Sequence, residues 1–303
     1  MQPETRLAVR LHPPGAGPRE LRVEELPVPA PEPGDVLLQV RAAAITRDEL
    51  SWPTDRLPAI PSYEVSGVVA AIGAGVTTLV VGDEVFGLTP FDRDGVAAEF
   101  ATMPAATLAP RPTTLGHVES AALPMPGLTA WQALFTHGAL AEGERVLIHG
   151  AAGGVGHIAT QLALSRGAIV VATARGEGVN IVRELGVAEV IDTSAATELA
   201  GLVSPVDVVF DTVGGDLLAG SPAVLAPGGR IVAVAEEPPD GVAATFFIVE
   251  PDADQLAALA RLADNGALRP AIDETYPLAD AVAAFERVAT SNKRGKVVLE
   301  VTA

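Results

Sequence analysis

The sequence predicts an α/β chain in which a doubly wound parallel sheet follows a β-rich first third. Three observations predict it. The segment His149-Gly-Ala-Ala-Gly-Gly-Val-Gly156 places a glycine cluster between a short apolar run and an amphipathic stretch. From about Gly116 onward, apolar runs alternate with helical patterns, the rhythm of a parallel sheet with crossover helices. Before that point, short strand-like runs are separated by Pro and Gly clusters.

In the first third, Leu7–Leu11, Leu21–Glu25, Val36–Ala44, Val65–Ile72, Glu84–Leu88 and Ala97–Thr102 are predicted strands. Ser120–Ala141 contains no Asp, Glu, Lys or Arg and is long enough to span a bilayer. Its Pro124, Pro126, Gly127, Gly138, Thr129, Gln132 and His137 instead predict a buried loop and helix. Arg145–His149 reads as a buried strand. Val155, Ile158, Ala159, Leu162 and Ala163 then fall on one helical face, which Gly167 ends. Ala168–Ala172 is a near-continuous apolar strand, as in a sheet covered on both faces.

A helix ending at Leu185-Gly186, a strand at Val190-Ile191 and a strand at Val206–Asp211 follow. Beyond Gly214-Gly215 the pattern gives a helix to about Leu225, a turn at Pro227–Arg230 and a strand at Ile231–Ala235. Pro251–Gly266 and Tyr276–Ala289 are predicted helices, and Lys296–Val301 a last strand returning to the first domain. No internal repeat is visible.

At 303 residues the chain has room for two domains, because single cores rarely grow beyond about 250–300 residues. Hydrophobic residues make up 49% and charged ones 19%, enough for a sizeable core. The net charge of −18 argues against nucleic acid and anionic membrane surfaces as partners, since both call for a basic patch. There is no Cys, which excludes disulfides and thiolate zinc sites and fits a reducing, cytoplasmic location. Met1–Arg22 is broken by Pro and charge, so no secretory signal is predicted.

The glycine cluster carries chemistry. Gly150, Ala151, Gly153, Gly154, Val155 and Gly156 give the A-x-G-x-x-G form of the dinucleotide fingerprint, with Ala151 in the first glycine slot. Small residues permit the tight turn, Gly153 lets a pyrophosphate approach the backbone, and Gly156 lets the helix sit close to the sheet. The next strand ends in Thr173-Ala174-Arg175, with no acid to grip a ribose 2′-hydroxyl; Glu177 already lies in the following loop. Arg175 therefore reads as a clamp on a 2′-phosphate, with a solvated surface arginine as the alternative, and NADPH is the predicted cofactor.

At this point the chain resembles the medium-chain dehydrogenase/reductase superfamily, in its zinc-independent quinone oxidoreductase branch. The likeness rests on Pro61-Ser-Tyr-Glu-Val-Ser-Gly67, Val81-Gly-Asp-Glu-Val-Phe86-Gly, Ala122–Trp131 and His149–Gly156. Leu185–Asp192, Asp211-Thr-Val-Gly-Gly215 and Gly295–Leu299 extend it over nearly the whole length. The resemblance implies a GroES-like β domain over 1–118, completed by 270–303, clasping a Rossmann domain over 119–269 with the active site in the cleft. A homodimer is the family expectation.

Zinc-dependent relatives hold a catalytic metal with a Cys, a His before a Glu, and a later Cys or acid. Those positions read here as Thr46, Tyr63 and, more loosely aligned, Met125, and the four-cysteine structural zinc loop is missing. Hydroxyl, phenol and thioether do not assemble a stable zinc site.

Other residues carry over from the family, each with a plainer alternative. Thr129 resembles the threonine beside the cofactor phosphate and nicotinamide, and would serve equally as a helix cap. Val213, Val234 and Ala235 end parallel strands, where ligands sit in such sheets, or are ordinary core. Phe246 and Phe247 occupy the position whose backbone meets the carboxamide, or form a core pair. Lys296, one of two lysines with Lys293, resembles the family lysine that reaches the cofactor, or is solvated. Thr46 is a cofactor-contact and catalytic candidate, and Tyr63 is a proton-donor candidate or a packed tyrosine. His149 and His157 flank the fingerprint with no metal spacing, so satisfied histidines are expected.

The resemblance implies an NADPH-dependent, zinc-independent oxidoreductase reducing a small quinone or enone, with Leu50, Trp52, Phe91, Met125 and Phe247 as apolar walls. A zinc-free alcohol or aldehyde oxidoreductase and a non-catalytic NADPH-binding protein remain open as other classes.

Overall fold

A computed structural model describes residues 3–13, 17–52, 55–194, 199–290 and 294–301. The chain opens with an antiparallel pair, β1 (Thr5–Leu11) and β2 (Leu21–Pro27). Then come β3 (Asp35–Ile45), β4 (Glu64–Ile72), β5 (Glu84–Leu88), β6 (Phe100–Pro104) and β7 (Leu108–Pro110). α1 (His117–Ala121) and α2 (Pro124–Trp131) follow, and α2 runs into a π-helical turn at Gln132–His137. The middle of the chain alternates β8 (Arg145–Ile148), α3 (Gly154–Ser165), β9 (Ile169–Ala174), α4 (Gly178–Glu184) and β10 (Glu189–Asp192). It continues with β11 (Val206–Asp211), α5 (Gly215–Gly220), β12 (Leu225–Ala233) and β13 (Ala243–Phe246). The tail is α6 (Ala253–Asp264), β14 (Ile272–Pro277), α7 (Ala281–Ala289) and β15 (Lys296–Glu300).

These elements form two compact units, 1–125 with 251–303 and 126–250. The first, β-rich unit holds a sheet in the order β14-β15-β3-β4-β5-β7, with β6 paired to β3. β3 can pair with three partners because it is 11 residues long and buried along nearly its whole length. α7 places Ala281, Ala284, Phe285 and Val288 at helical spacing, and all four are buried in the core of this unit. α6 is capped by Asp252, whose side chain accepts the Gln255 N–H at 2.9 Å.

The second unit is a parallel sheet in the order β10-β9-β8-β11-β12-β13, the doubly wound order with its reversal between β8 and β11. Leu147, Val171, Val209 and Ile231 stand in register on adjacent strands and share one fully buried cluster. Such a row explains why these strands read as continuous apolar runs. The expected α/β class, with a GroES-like domain and a Rossmann domain, is the observed one.

Several local expectations differ from the structure. Tyr276 lies in β14, parallel to β15, and the helix begins only at Ala281. Ala97–Thr102 was expected as one strand, but Ala97 and Ala98 bond to β1 and only Phe100 onward pairs with β3. The compact units meet along the chain at 125/126 and 250/251. Thr113 and Thr114 bind Asp264 at the end of α6, which ties that helix to the β-rich unit. Ser120–Ala141 is helical and largely buried, and among the described residues no helix is long and apolar enough to cross a membrane.

His149, just beyond β8, is fully buried, with Nδ1 3.2 Å from Thr173 Oγ1 and Nε2 3.0 Å from Ser221 Oγ. Burial pushes its imidazole down to about 4, so the folded protein holds it neutral. A group whose folded value is depressed contributes stability that is complete above its unfolded value, near 6.5, and is lost as pH falls toward 4. That contribution is up to about 3 kcal/mol. Thermal melting from pH 7 to 4 should show a smaller drop for His149→Gln than for wild type. Equal drops would remove His149 as the titrating group.

Candidate active site

In the second unit, the predicted cofactor residues gather at one edge of the parallel sheet. Gly150–Gly156 follow β8, Ala174 ends β9 with Arg175 next, and Val213 follows β11. Val234 and Ala235 come just after the last residue of β12, and Phe246 ends β13 with Phe247 beside it. All lie at carboxyl ends of parallel strands, around the reversal of strand order where α/β sheets bind ligands.

The turn itself is built around two glycines. Gly150 has φ +71, and a Cβ there would sit 2.7 Å from Thr212 Oγ1. A Cβ on Gly156 would overlap the carbonyl of Gly150 and lie 2.7 Å from Ala151 Cα. Gly153 is different. It is exposed, and a Cβ there would meet only the Gly150 carbonyl, at 3.2 Å. The protein thus barely uses the space over Gly153, the N-cap of α3, where the helix presents its unpaired N–H groups. A pyrophosphate fits that cradle. Thr173 braces the turn from below, taking the Gly150 N–H on its hydroxyl at 3.3 Å and the Ala151 N–H on its carbonyl at 3.0 Å.

Arg175 is exposed at the tip of β9, and no carboxylate pairs with it among the described residues. Asp192, at the end of the neighbouring β10, is committed elsewhere: it accepts the backbone N–H groups of Ser194 and Gly176. Asp211 is buried at the end of β11 and accepts the N–H groups of Val213 and Gly214, fixing the loop that carries Val213. Thr129 is buried inside α2 rather than at its start, so it is no N-cap. Phe247 packs its ring against His137, centroids 4.5 Å apart.

The first unit holds a different kind of site, made of side chains. Trp52, Tyr63 and Phe91 meet pairwise at centroid distances of 5.2–5.6 Å. They line a cavity with Leu50, Ile60 and Glu49. Beside it, Glu64 is fully buried and ion-paired with the Lys296 ammonium, while its other oxygen accepts the Met125 N–H at 3.0 Å. Lys296 also donates to Thr46 Oγ1 at 3.3 Å. The resemblance placed Thr46, Tyr63 and Lys296 near the reaction, and the fold brings Thr46 and Lys296 into one network. It adds two carboxyls that sequence reading left without a role, Glu49 and Glu64. An acid opening the apolar run of Val65–Ile72 was the available signal, because a charge seldom enters a core unpaired.

A parallel sheet wound in this order, with a glycine turn at its reversal, is the Rossmann arrangement, and the comparisons give its family. Residues 32–113 match the alcohol dehydrogenase GroES-like domain, and residues 185–299 match the family described as zinc-binding dehydrogenase. The quinone oxidoreductase of Rattus norvegicus is 32% identical over 93% of this chain and 94% of its own. A probable mitochondrial zinc-binding oxidoreductase of Arthroderma benhamiae is 31% identical over 93% of each chain. The structure of the quinone oxidoreductase from Coxiella burnetii superposes with a TM-score of 0.90 at 29% identity, covering 98% of this chain and all of that one. The chain belongs to the medium-chain dehydrogenase/reductase superfamily, in its quinone oxidoreductase-like branch. Oxidoreductases of this family use nicotinamide cofactors.

The two glycines separate a fold effect from a ligand effect. Gly156→Val should lower the melting temperature, since overpacking against backbone costs about 1–3 kcal/mol. Gly153→Val should keep wild-type far-UV circular dichroism and lose nucleotide binding. Micromolar NADPH binding by Gly153→Val would remove this turn as the phosphate site.

Proposed function

We propose that the chain is an NADPH-dependent oxidoreductase that works without zinc and reduces a quinone or an α,β-unsaturated carbonyl. The observation that carries this reading is the donor set at the family's metal position. Thr46, Tyr63 and Met125 offer a hydroxyl, a phenol and a thioether, and the nearby Glu64 carboxylate is already neutralised by the Lys296 ammonium. Zinc prefers thiolate, imidazole or carboxylate, and an ammonium hydrogen-bonded to Thr46 and Glu64 repels a divalent cation. The residues do not fit zinc, which leaves side chains to stabilise charge on the acceptor.

Bound NADPH would supply the hydride. Gly153, Gly154 and the N-terminus of α3 would take its pyrophosphate, and Arg175 its 2′-phosphate. Ala174, Val213, Val234 and Ala235 would flank the nucleotide along the strand ends, and Thr129, Phe246 and Phe247 its nicotinamide half. In the first unit, the rings of Trp52, Tyr63 and Phe91 would hold a flat, conjugated acceptor, largely a matter of positioning. Thr46 and Tyr63 would offer hydrogen bonds to the oxygen on which charge develops.

A metal Lewis acid contributes several kcal/mol of transition-state stabilisation. Without one, unactivated ketones and alcohols are poor substrates, whereas conjugation in quinones and enones spreads the charge left by the hydride. NADPH oxidation with a small quinone or enone should therefore be measurable and unaffected by EDTA, with little turnover of primary alcohols and NADP⁺. Stoichiometric zinc together with chelator-sensitive alcohol oxidation would overturn this reading.

Arg175 sets the cofactor preference. A charge-assisted hydrogen bond to phosphate is worth about 1.5–3 kcal/mol, or roughly one to two decades of affinity. Arg175→Ala should weaken NADPH by that amount in a fluorescence titration and leave NADH nearly unchanged. Equal losses for the two cofactors would exclude the clamp.

A further inference from the structure

Glu49 has no part in the chemistry above, yet both of its carboxyl oxygens are held by backbone N–H groups. It lies in the turn after β3 and is 6% exposed. One oxygen accepts the Thr46 N–H at 2.9 Å and the other accepts the Ser62 N–H at 2.9 Å. Ser62 has φ 62, a left-handed conformation that non-glycine residues adopt at a cost. Its carbonyl is taken by the Val96 N–H at 2.6 Å, and Gly95 opposite leaves no space for a Cβ against Pro61 and Ser62. The next residue is Tyr63, whose ring meets Trp52 and Phe91. A single carboxyl group therefore ties the loop carrying Thr46, Leu50 and Trp52 to the segment that presents Tyr63, and it also lines the cavity between them.

The charges around Glu49 are few. The Lys296 ammonium and the Glu64 carboxylate act on it, the Tyr63 phenol feels its charge, and Arg56 and Asp94 act on Tyr63. One ammonium serves two buried carboxyls, and it is hydrogen-bonded to Glu64. Burial raises Glu49 most, with Glu64 adding to it, against the two backbone N–H groups and Lys296; the carboxyl is raised to about 8.

We propose that Glu49 is the positioning residue of the acceptor pocket, a clamp that fixes Thr46 and Tyr63 relative to each other through their loops. The proposal rests on the acceptor reading given above. In its protonated form the clamp adds no net charge to a cavity walled by three aromatic rings. Ionised, it places an unbalanced negative charge there, and the cavity must hydrate it. The pocket is thereby sensitive to pH on the alkaline side of neutrality.

The chain has two tryptophans, Trp52 in the pocket and Trp131 in the other unit, so Trp131→Phe leaves Trp52 as the only indole reporter. In that background, Trp52 emission should change with a midpoint near pH 8, and Glu49→Gln should both red-shift it and abolish the titration. Glutamine keeps one acceptor and turns an amide toward the second N–H, so kcat/KM for a small quinone should fall roughly tenfold to hundredfold, mainly in kcat. The NADPH dissociation constant should stay within about twofold, because the glycine turn and Arg175 belong to the other unit and share no partner with Glu49. Trp52 emission that is flat from pH 6 to 9 and unchanged by Glu49→Gln would overturn the clamp, as would equal losses in NADPH affinity and acceptor turnover. A wild-type chain inactive with every quinone and enone would fail the acceptor reading alone, and the Trp52 titration would still decide the clamp.

Discussion

The β-rich unit depends on one buried ion pair. Lys296 opens β15 and Glu64 opens β4, and both strands flank β3 in the sheet. Removing two charges from water costs several kcal/mol per ion, which the pair offsets only if the remaining polar atoms are also satisfied. Here they are: Glu64 takes the Met125 N–H on its second oxygen, and Lys296 gives a second hydrogen bond to Thr46. The pair therefore fixes the register of β15 against β3 and sets the position of the hydroxyl on Thr46. Loss of either partner would strand a charge in the core, so the geometry around Thr46 and the integrity of the sheet are the same property.

The candidate sites of the two units are built from different materials. In the parallel-sheet unit, the proposed binding groups are mostly main chain: N–H groups at the start of α3, strand ends, and glycines that keep out of the way. In the β-rich unit they are side chains from residues far apart in sequence, such as Thr46, Glu49, Tyr63 and Lys296. A main-chain site tolerates much side-chain change, provided Gly150 and Gly156 stay small. A side-chain site is sensitive to single substitutions and can be adapted to a new acceptor through them.

That difference explains what was legible beforehand. The glycine turn is local, with Gly150, Gly153 and Gly156 within seven positions, and its spacing alone located it. The buried strands around it, such as Val206–Asp211, were equally plain, because both faces are apolar. β13 and β14 were missed for the opposite reason: each closes a sheet at its edge, and its side chains are half-buried or exposed. Edge strands carry little hydrophobic pattern. The Glu49 contacts depend on a turn at Thr46 and a left-handed Ser62, and the Glu64 ion pair joins positions 232 residues apart, so neither appears in any local window.

The return of β15 to β3 also has a consequence for synthesis. A ribosome adds roughly 5–20 residues per second, so Lys296 follows Glu64 by roughly 10 to 50 s. By the time Lys296 is added the continuous segment 126–250 has been made, while Ala42–Ile45 of β3 still await β15 and Glu64 awaits its cation. An open strand edge invites pairing with other chains. The nascent β-rich unit is therefore the part of this protein that a chaperone has most reason to shield, and the pairing of β15 with β3 ends that exposure.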